Sequence, residues 1–415
     1  MKIALIVIDG LGDSPIDELG KKTPLEAAIT PNLDALASNG VCGLIEPFCF
    51  SWQKYPRSDS AHLALFGYDP AVYCLGRGVY EAIGKGVKMK KENVALRANF
   101  GTVDKNLKII DRRAGRIDNT ESLVKSLAGI EIDNVKFKVA ASLGHRAILL
   151  LKGKNLSEKI GGGDIKKTGI RVKKIVVLEK SKQAEFTADV LNKFLEKAHR
   201  ILENHPLNKK RKKQGLLPAN YLLVRGAGKL RETPSFNKKY NLKAACIAAG
   251  YVYRGVAKVL GMDLINVKGA TGNINTNLKG KILSIKRNLK KYNFIFCHIK
   301  AADTLSEDGN CLGKKKFIEK IDNNMKFLTN LKNTLIVVTA DHSSCCKFKR
   351  HCTSLVPVLI YESSIRHRGE KVSEFSEKAC RKGRLGKFKQ TDLMSRILKL
   401  KKKYEHSKKI KQEDV

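Results

Sequence analysis

The chain has 415 residues, 42% of them hydrophobic, and a formal net charge of +40 at pH 7. This length accommodates one large domain with an insert, or two domains, and the composition is that of an ordinary globular protein. A membrane-spanning protein is excluded, because no run approaches the roughly 18–20 apolar residues that a bilayer requires. The apolar start, residues 1–8, is too short for the hydrophobic region of a signal peptide and lacks a cleavage site. We therefore expect a soluble, cytoplasmic protein.

The positive charge comes from 80 lysines and arginines against 40 aspartates and glutamates. These basic residues are spread along the chain, with denser runs at 209–213 and 399–403. No arginine-rich or aromatic-interleaved pattern of an RNA-binding protein accompanies them. A solvated, lysine-rich surface that also steers anionic substrates is therefore favoured over nucleic-acid binding.

The ten cysteines have no regular framework spacing. In a chain without a secretory signal we expect them to be reduced thiols. Zinc binding by Cys345, Cys346, His351 and Cys352 is a minor alternative, because adjacent cysteines lack the usual CxxC spacing.

In chain order, the first element is an apolar, β-branched run at residues 3–8 that ends at Asp9. This pattern predicts a buried parallel strand that delivers a carboxylate to the C-terminal edge of a sheet. Thr30 and Pro31 then mark the beginning of a helix, with proline at its first position.

Residues 96–210 differ in character from the segments on either side. Residues 135–139 alternate apolar and charged side chains, and the apolar run at 147–151 is suited to pair with them, which predicts an antiparallel insert. The three glycines at 161–163 and the basic run at 209–213 are typical of loops or hinges.

Two later runs, residues 293–299 and 334–338, repeat the form of the first strand. Asp303 follows one of them, and Asp341 and His342 follow the other. Such a pattern predicts an α/β fold with a mostly parallel sheet, helices on both faces and a site at the strand ends. The expected divisions are a core of residues 1–95 and 211–400, an inserted α+β domain of residues 96–210, and a charged, frayed tail of residues 401–415.

Carboxylates and imidazoles near these strand ends are candidate metal ligands: Asp9, Asp303, Asp341, His342 and His351. This mixture suits Mn²⁺ or Zn²⁺ better than Ca²⁺ or Mg²⁺, which prefer shells of oxygen alone. A single aspartate after a strand is usually a cap or turn residue. Several of them at several strand ends favour a metal site.

Ser58 lies in a segment that also contains Asp59, Ser60 and His62. A serine becomes a nucleophile when a metal or a base lowers its pKa, and a helix N-terminus stabilises a phosphorylated serine. The alternative is an ordinary serine cap with an acidic first turn, and the two roles are compatible.

Arginines beside glycines form a third candidate group: Arg112, Arg113, Arg116 and Arg225. Arginine binds phosphate or carboxylate through two parallel hydrogen bonds, which indicates an anionic substrate, with surface ion pairs as the alternative. The glycines at 10–12 and 76–78 do not extend to a dinucleotide fingerprint, and no GxxxxGK[ST] loop is present. Neither NAD nor ATP is therefore expected as a cofactor.

Sequence blocks in a shared order cover nearly the whole chain. They include residues 9–13 (DGLGD), 22–28 (KTPLEAA), 58–70 (SDSAHLALFGYDP), 111–116 (DRRAGR), 225–228 (RGAG) and 341–343 (DHS). In this order they resemble the archaeal-type 2,3-bisphosphoglycerate-independent phosphoglycerate mutases of the alkaline phosphatase superfamily. The resemblance implies an alkaline-phosphatase-like core and the interconversion of 3-phosphoglycerate and 2-phosphoglycerate through a phosphoserine, in glycolysis and gluconeogenesis.

The same resemblance implies a role for each candidate residue. It implies one divalent metal ion at Asp9, Ser58, Asp341 and His342 and a second at Asp303, Glu307 and His351, with Mn²⁺ expected and Mg²⁺, Co²⁺ or Zn²⁺ as alternatives. Ser58 would carry the phosphoryl group, His62 would help to move protons, and Arg112, Arg113, Arg116 and Arg225 would hold the phosphoglycerate. The family has histidine at the position of Glu307, so we expect a retained second site with a preference shifted toward harder metals. It has glycine at the position of Arg57, which we expect either to bind phosphate or to crowd the serine.

Two alternatives stay open. A phosphatase or another small-molecule phosphotransferase would use the same serine and pass the phosphate to a different acceptor. A degenerate family member would act as a basic nucleic-acid-binding protein, which is motivated by Glu307, Arg57 and the net charge of +40. The near-complete set of serine, ligands and arginines favours the mutase. A membrane partner is not expected, and the oligomeric state stays open.

Overall fold

The structure, a computed structural model, describes residues 1–165, 167–363 and 372–413, with side chains up to residue 406. The chain forms two compact units, one of Met1–Cys74 with Thr233–Val415 and the other of Leu75–Glu232. The second unit is wider than the expected insert of residues 96–210. It begins before the strand that opens the insert and includes the later strand that pairs with it.

The β-strands of the described residues are β1 (Lys2–Ile8), β2 (Val41–Glu46), β3 (Val94–Val103), β4 (Ile109–Asp111), β5 (Glu131–Ile132), β6 (Val135–Ala141), β7 (Arg146–Lys152), β8 (Ile160–Gly163), β9 (Lys173–Val177), β10 (Tyr221–Gly228), β11 (Ala244–Ile247), β12 (Asp263–Leu264), β13 (Phe294–Ile299), β14 (Thr334–Thr339), β15 (Ser343–Cys345), β16 (Arg350–Cys352), β17 (Val356–Tyr361) and β18 (Gly386–Lys389).

The α-helices are α1 (Pro24–Ala27), α2 (Pro31–Ser38), α3 (Ser58–Leu65), α4 (Pro70–Tyr73), α5 (Arg77–Lys85), α6 (Glu121–Ser126), α7 (Lys182–Glu203), α8 (Pro206–Lys213), α9 (Phe236–Tyr240), α10 (Tyr251–Val259), α11 (Leu278–Asn288), α12 (Ala301–Glu307), α13 (Cys311–Met325), α14 (Glu377–Cys380) and α15 (Leu393–Glu413). Helix α2 begins at Pro31, as the sequence predicts. None of the helices within the described ranges is both long and apolar enough to cross a bilayer.

The first unit is built on an eight-stranded sheet in the order β12-β11-β13-β1-β14-β17-β2-β18. Strands β11, β13, β1 and β14 run parallel, and β17 pairs antiparallel with both β14 and β2. Strands β13 and β14 are buried along their whole length, as the apolar runs predict for strands with both faces covered. The expected α/β core with a mostly parallel sheet is confirmed.

The second unit contains an antiparallel sheet in the order β10-β3-β7-β6-β5. The predicted pairing is confirmed, since β6 lies antiparallel to β7 with Val139 opposite Leu149. Helix α7 packs its apolar face on this sheet, and the Phe137 and Phe194 rings stack with their centroids 4.3 Å apart. An amphipathic helix over a half-exposed sheet gives this unit its own core.

Four local expectations were wrong. The glycines at 161–163 form strand β8, which pairs with β9, and the basic run at 209–213 lies within helix α8. Helix α15 continues through the expected frayed tail as far as Glu413, and residues 414–415 lie outside the described part of the chain. Cys345 and Cys352 form a disulfide instead of remaining reduced, because the antiparallel pairing of β15 and β16 brings them close together.

Candidate metal centre and anion site

Three strand ends of the first unit meet at one edge of its sheet. Strand β1 lies between β13 and β14, with Ile8 opposite Ile299 and Val7 opposite Thr339. Asp9 follows the central strand directly, and a Cβ on Gly10 would come within 2.8 Å of the Asp303 side chain. Only glycine permits this close approach, and its φ of +68° is also one that glycine favours.

The meeting of these strand ends produces two ligand groups, Asp9 with Asp341 and His342, and Asp303 with His342 and His351. In each group the ligand atoms all lie within 4.8 Å of one another, and His342 belongs to both. Five of the predicted metal ligands are therefore brought together, and the mixed oxygen and nitrogen donors fit Mn²⁺ or Zn²⁺.

Asp9 and Asp303 are held ionised by a half-buried lysine. The Lys300 Nζ lies 3.2 Å from Asp9 Oδ2 and 2.7 Å from Asp303 Oδ2. Burial raises the pKa of each carboxyl, but Lys300 together with neighbouring histidines outweighs burial and holds both pKa values below the usual range. The His298 Nε2, 3.2 Å from Asp9 Oδ2, also lowers the pKa of Asp9. The two aspartates are thus available as anionic ligands.

The pKa of Asp341 is shifted in the opposite direction from that of Asp9 and Asp303. Burial and the nearby charges of Asp9 and Asp303 raise the pKa of Asp341 well above its ordinary value. Among the described residues, Asp341 Oδ2 and Asp9 Oδ1 are buried with no hydrogen-bond partner. Unsatisfied buried carboxylate oxygens are costly, and a divalent cation would compensate them. The residues therefore fit a metal ion.

Ser58 stands at the first position of α3, and its Oγ lies 3.3 Å from His342 Nε2. Burial, followed by the charge of His351, lowers the pKa of His342 to about 3, so its imidazole is neutral and able to act as a ligand. The Ser58 hydroxyl thus contacts the ligand that the two groups share, and it lies where the N-terminus of a helix favours negative charge.

His62 contacts the backbone of Ser58 and not its hydroxyl. Its Nδ1 lies 2.7 Å from the Ser58 carbonyl oxygen, one helical turn earlier, and donates to it. Burial, followed by His298, lowers the pKa of His62 to about 3. This neutral ring holds the first turn of α3 in place, and its expected part in moving protons stays a prediction.

His351 is positioned by the disulfide-linked hairpin of β15 and β16. Its Nδ1 lies 2.8 Å from the Pro56 carbonyl and its Nε2 lies 3.4 Å from Asp303 Oδ1. In the same hairpin the Ser344 hydroxyl donates to Asp303 at 2.6 Å. A carbonyl that fixes one ring nitrogen leaves the other directed at a metal ligand, a common arrangement around metal-binding histidines.

Glu307, expected as a ligand of the second metal, is exposed at the last residue of α12 and lies in neither ligand group. The oxygens of Asp303 are contacted instead by Lys300, Ser344 and His351. Arg57, expected either to bind phosphate or to crowd the serine, forms a bidentate ion pair with Asp59.

In the second unit, two of the four predicted arginines meet at one buried carboxylate. Arg112 donates to both oxygens of Asp164, at 2.9 and 2.7 Å, and Arg225 Nε lies 3.2 Å from Asp164 Oδ2. Burial, followed by the charge of Arg77, lowers the pKa of Arg225 to about 10. Arg113 and Arg116 are exposed on the turn after β4.

Sequence reasoning missed further members of this arginine cluster. Arg97 of β3 lies directly opposite Arg225 of β10, so their side chains share a face of the sheet. Glu81 accepts from Arg97 Nη1 at 3.0 Å and from Arg77 Nε at 3.1 Å. Arg77 and Arg97 thus bond Glu81, and Arg112 and Arg225 contact Asp164; such a concentration of arginines suits an anionic ligand.

Sequence reasoning also missed Tyr253, His298, Lys300 and Ser344 around the metal ligands. The Tyr253 hydroxyl donates to Asp9 Oδ2 at 2.5 Å. His298 and Lys300 lie at the end of the apolar run that precedes Asp303. That position beside a predicted ligand was a usable signal that they belong to the site. For Tyr253, in an amphipathic helix, the sequence carries no such signal.

Carboxylate and imidazole ligands at the carboxyl ends of a parallel sheet define a class of metal-dependent enzyme. In agreement, a family model described as the Metalloenzyme superfamily matches residues 1–400. A 2,3-bisphosphoglycerate-independent phosphoglycerate mutase of Archaeoglobus fulgidus is 44% identical over 96% of this chain and 98% of its own length. The corresponding protein of Methanocaldococcus jannaschii is 42% identical over 96% and 97%.

Solved structures agree with these relatives. A Pyrococcus horikoshii protein matches with a TM-score of 0.82 and 31% identity over 97% of each chain. A cofactor-independent phosphoglycerate mutase from Thermoplasma acidophilum matches with a TM-score of 0.67 and 35% identity, over 97% of this chain and all of that one. The chain therefore belongs to the family of 2,3-bisphosphoglycerate-independent phosphoglycerate mutases, and the resemblance seen in the sequence is confirmed.

Proposed function

We propose that this chain interconverts 3-phosphoglycerate and 2-phosphoglycerate by passing the phosphoryl group through Ser58, without 2,3-bisphosphoglycerate. One observation carries the proposal. The Ser58 Oγ lies at the start of a helix and 3.3 Å from His342 Nε2, the ligand shared by the two metal-binding groups. Full-length identity of 40–44% to mutases of this family supports the same reaction.

The reaction consists of two phosphoryl transfers, the first to Ser58 and the second from it. In the first, the Ser58 Oγ–P bond forms, the bond between phosphorus and the 3-oxygen of glycerate breaks, and the serine proton passes to that oxygen. In the second, the 2-hydroxyl of the retained glycerate attacks phosphorus, the Oγ–P bond breaks, and the proton of the 2-hydroxyl returns to the serine. The N-terminus of α3 stabilises the phosphoserine dianion between the transfers.

Two divalent ions would bind here, with Mn²⁺ as the proposed species. One ion would be held by Asp9, Asp341, His342 and Ser58. The other would be held by Asp303, His351 and His342. When bound, such ions supply the positive charge that stabilises the oxygens of a transferring phosphoryl group. Lys300 keeps Asp9 and Asp303 ionised, and Tyr253 and Ser344 fix their carboxylates by hydrogen bonds.

The arginine cluster of the second unit is proposed to hold the glycerate. Arginine binds a planar carboxylate or a phosphate through paired hydrogen bonds, and retention of the glycerate is what separates a mutase from a phosphatase. Arg112 and Arg225 are proposed to take this role, together with Arg97 and Arg77. The substrate is a small phosphorylated acid, and the proposed compartment is the cytoplasm.

The experiment is a ³¹P NMR assay of the purified protein with Mn²⁺ and 3-phosphoglycerate and without bisphosphoglycerate. The wild type should form 2-phosphoglycerate. Ser58→Ala should abolish turnover, whereas Ser60→Ala, the same change two residues later, should keep it because the Ser60 hydroxyl donates to the Arg57 carbonyl.

The other products of this assay correspond to the other functions. Free phosphate without 2-phosphoglycerate would show a phosphatase and contradict the proposal. Absence of turnover with every divalent metal, combined with salt-sensitive RNA binding, would favour a basic nucleic-acid-binding protein.

A further inference from the structure

The second unit contains a large cavity that the proposed phosphoryl transfer does not use. Its volume is about 1690 Å³, above the roughly 300–1,000 Å³ of common small-molecule pockets. Its walls come from the loop before β3, the turn between β5 and β6, the loop after β7 and the first turn of α7. Neither Arg97 nor Arg225 lines it, so it is separate from the arginine cluster.

Five lysines line this cavity: Lys88, Lys90, Lys152, Lys154 and Lys182. All five are exposed, and in the part of the chain that the structure describes none of them forms an ion pair. The lining carboxylates are Glu92 and Asp133, of which Asp133 is already paired with Lys193 at 2.9 Å. The lining thus has an excess of positive charge that an anion would compensate.

The first turn of α7 contributes to the same wall. Lys182 and Gln183 open this 22-residue helix, whose Ser181 cap accepts from the Ala184 backbone N–H. The backbone dipoles of a helix give its N-terminus partial positive charge, which favours phosphate. The helix N-terminus and the lysines therefore both favour a negatively charged ligand.

The remaining wall is apolar and carries carboxamides. Phe186 and Met89 are half-buried, and Val135, which also lines the cavity, is buried in the core of the unit against which Phe186 packs. An aromatic ring offers a stacking face for a flat ligand group, and the lining Asn134 and Asn155 offer hydrogen-bond donors and acceptors to its edge. Inorganic phosphate alone would leave this wall unused.

We infer that this cavity binds a phosphorylated ligand with an aromatic group, of the class of nucleoside polyphosphates. The lysines and the helix N-terminus would contact the phosphates, and Phe186 would contact the base. No candidate metal ligand and no arginine of the cluster lines this cavity, so the ligand acts as an effector and not as a reactant in phosphoryl transfer. The inference stands apart from the proposed mutase reaction and does not depend on it.

The test is calorimetric titration of the full-length protein with ATP, tripolyphosphate and adenosine. We expect ATP to bind more tightly than either fragment. Combining Lys154→Glu with Lys182→Glu should weaken ATP about tenfold or more through charge reversal. A matched control with Lys209→Glu and Lys210→Glu makes the same charge change on exposed residues of α8, outside the cavity, and should leave ATP affinity unchanged.

Phe186→Leu, which keeps apolar volume, should lower the affinity for ATP toward that for tripolyphosphate. Circular dichroism melting checks that each variant is folded. The inference is overturned if ATP does not bind, or if the α8 control loses ATP as strongly as the cavity variant. It is also overturned if tripolyphosphate equals ATP in the wild type, or if Arg225→Ala, in the arginine cluster, abolishes ATP binding.

Discussion

The metal-ligand groups of the first unit and the arginine cluster of the second are buried sites with opposite charge. In the first, Asp9 and Asp303 contact one lysine, Asp341 shares a ligand group with Asp9, and among the described residues an oxygen of Asp9 and one of Asp341 lack a hydrogen-bond partner. In the second, Arg77 and Arg97 bond Glu81, and Arg112 and Arg225 contact Asp164.

The difference shows what each site requires from outside the chain. Excess buried negative charge with unsatisfied oxygens calls for a cation, whereas excess positive charge on a sheet face calls for an anion. A phosphoryl-transfer enzyme needs both, one to stabilise the transferring group and one to hold the rest of the substrate. Changing one charge at a time in each site therefore tests the comparison.

The largest effect is expected for Asp341→Asn. Activity should fall by at least about 1000-fold, since a ligand that acts in the transition state is removed. In metal-free protein the same change should raise the melting temperature, because burial and two neighbouring carboxylates already raise the pKa of Asp341 well above its usual value. Melting curves recorded with a chelator and with added Mn²⁺ give the readout.

Asp322→Asn is the matched control. Asp322 is equally buried, but it accepts from the backbone N–H groups of Leu33 and Asn32. Its loss should lower the melting temperature with or without metal. If both variants lower the melting temperature of the metal-free protein alike, the first unit does not carry uncompensated negative charge.

The next largest effect on activity is expected for Arg225→Ala. The Michaelis constant for 3-phosphoglycerate should rise about 10- to 100-fold, because a charge-assisted contact to the substrate is lost while Asp164 keeps its pair with Arg112. Steady-state kinetics measure the change. Arg113→Ala, on the exposed turn, should change little, and an equal effect of the two variants would contradict the arginine cluster as the substrate site.

The residues of these two sites differ in how far the sequence alone predicts their positions. Asp9, Asp341 and His342 were predictable because parallel apolar strands must end at the same edge, whatever their order. The positions of Tyr253, of the exposed Glu307 and of the Cys345–Cys352 pair depend on tertiary packing and on hairpin register. No local pattern encodes those contacts.

The same limit applies in the second unit. Arg225 was predictable as a glycine-flanked arginine, but its partner Arg97 lies in a strand more than a hundred residues earlier. Only the register between β3 and β10 places them side by side. The second unit extends beyond residues 96–210 on both sides for the same reason, since the pairing of β3 with β10 joins segments that are far apart in the chain.

A smaller effect is expected in the pH dependence of stability, where two buried glutamates should behave in opposite ways. Burial raises the pKa of Glu377 from 4.5 to about 7 in the folded protein. The folded state therefore keeps this proton at a pH where the unfolded state has lost it, so the contribution of Glu377 to stability falls as pH rises from 4.5 to about 7. Glu377→Gln should remove that decline.

Glu81 is the comparison. Burial raises its pKa, but Arg97 and Arg77 outweigh burial and hold the pKa of Glu81 below the ordinary value. Its contribution is present above the unfolded pKa and is lost as pH falls, so Glu81→Gln should destabilise the protein at neutral pH. Urea unfolding between pH 5 and 8 measures both, and parallel profiles for the two variants would contradict the charge assignment of the two units.

The smallest effect is expected for Glu307→Gln. Because Glu307 is exposed and outside both ligand groups, its change should alter turnover and Mn²⁺ dependence by less than about twofold. Activity is measured against Mn²⁺ concentration, with Asp303→Asn as the positive control. A marked rise in the Mn²⁺ requirement of Glu307→Gln would place this side chain in the ligand set after all.

The central claim is that the phosphoryl group goes to Ser58 and returns to the same glycerate without passing to water. Turnover of 3-phosphoglycerate in ¹⁸O-labelled water, followed by the isotope shift in ³¹P NMR, tests it directly. We expect 2-phosphoglycerate whose phosphoryl oxygens carry no label. Labelled inorganic phosphate as the main product would contradict it.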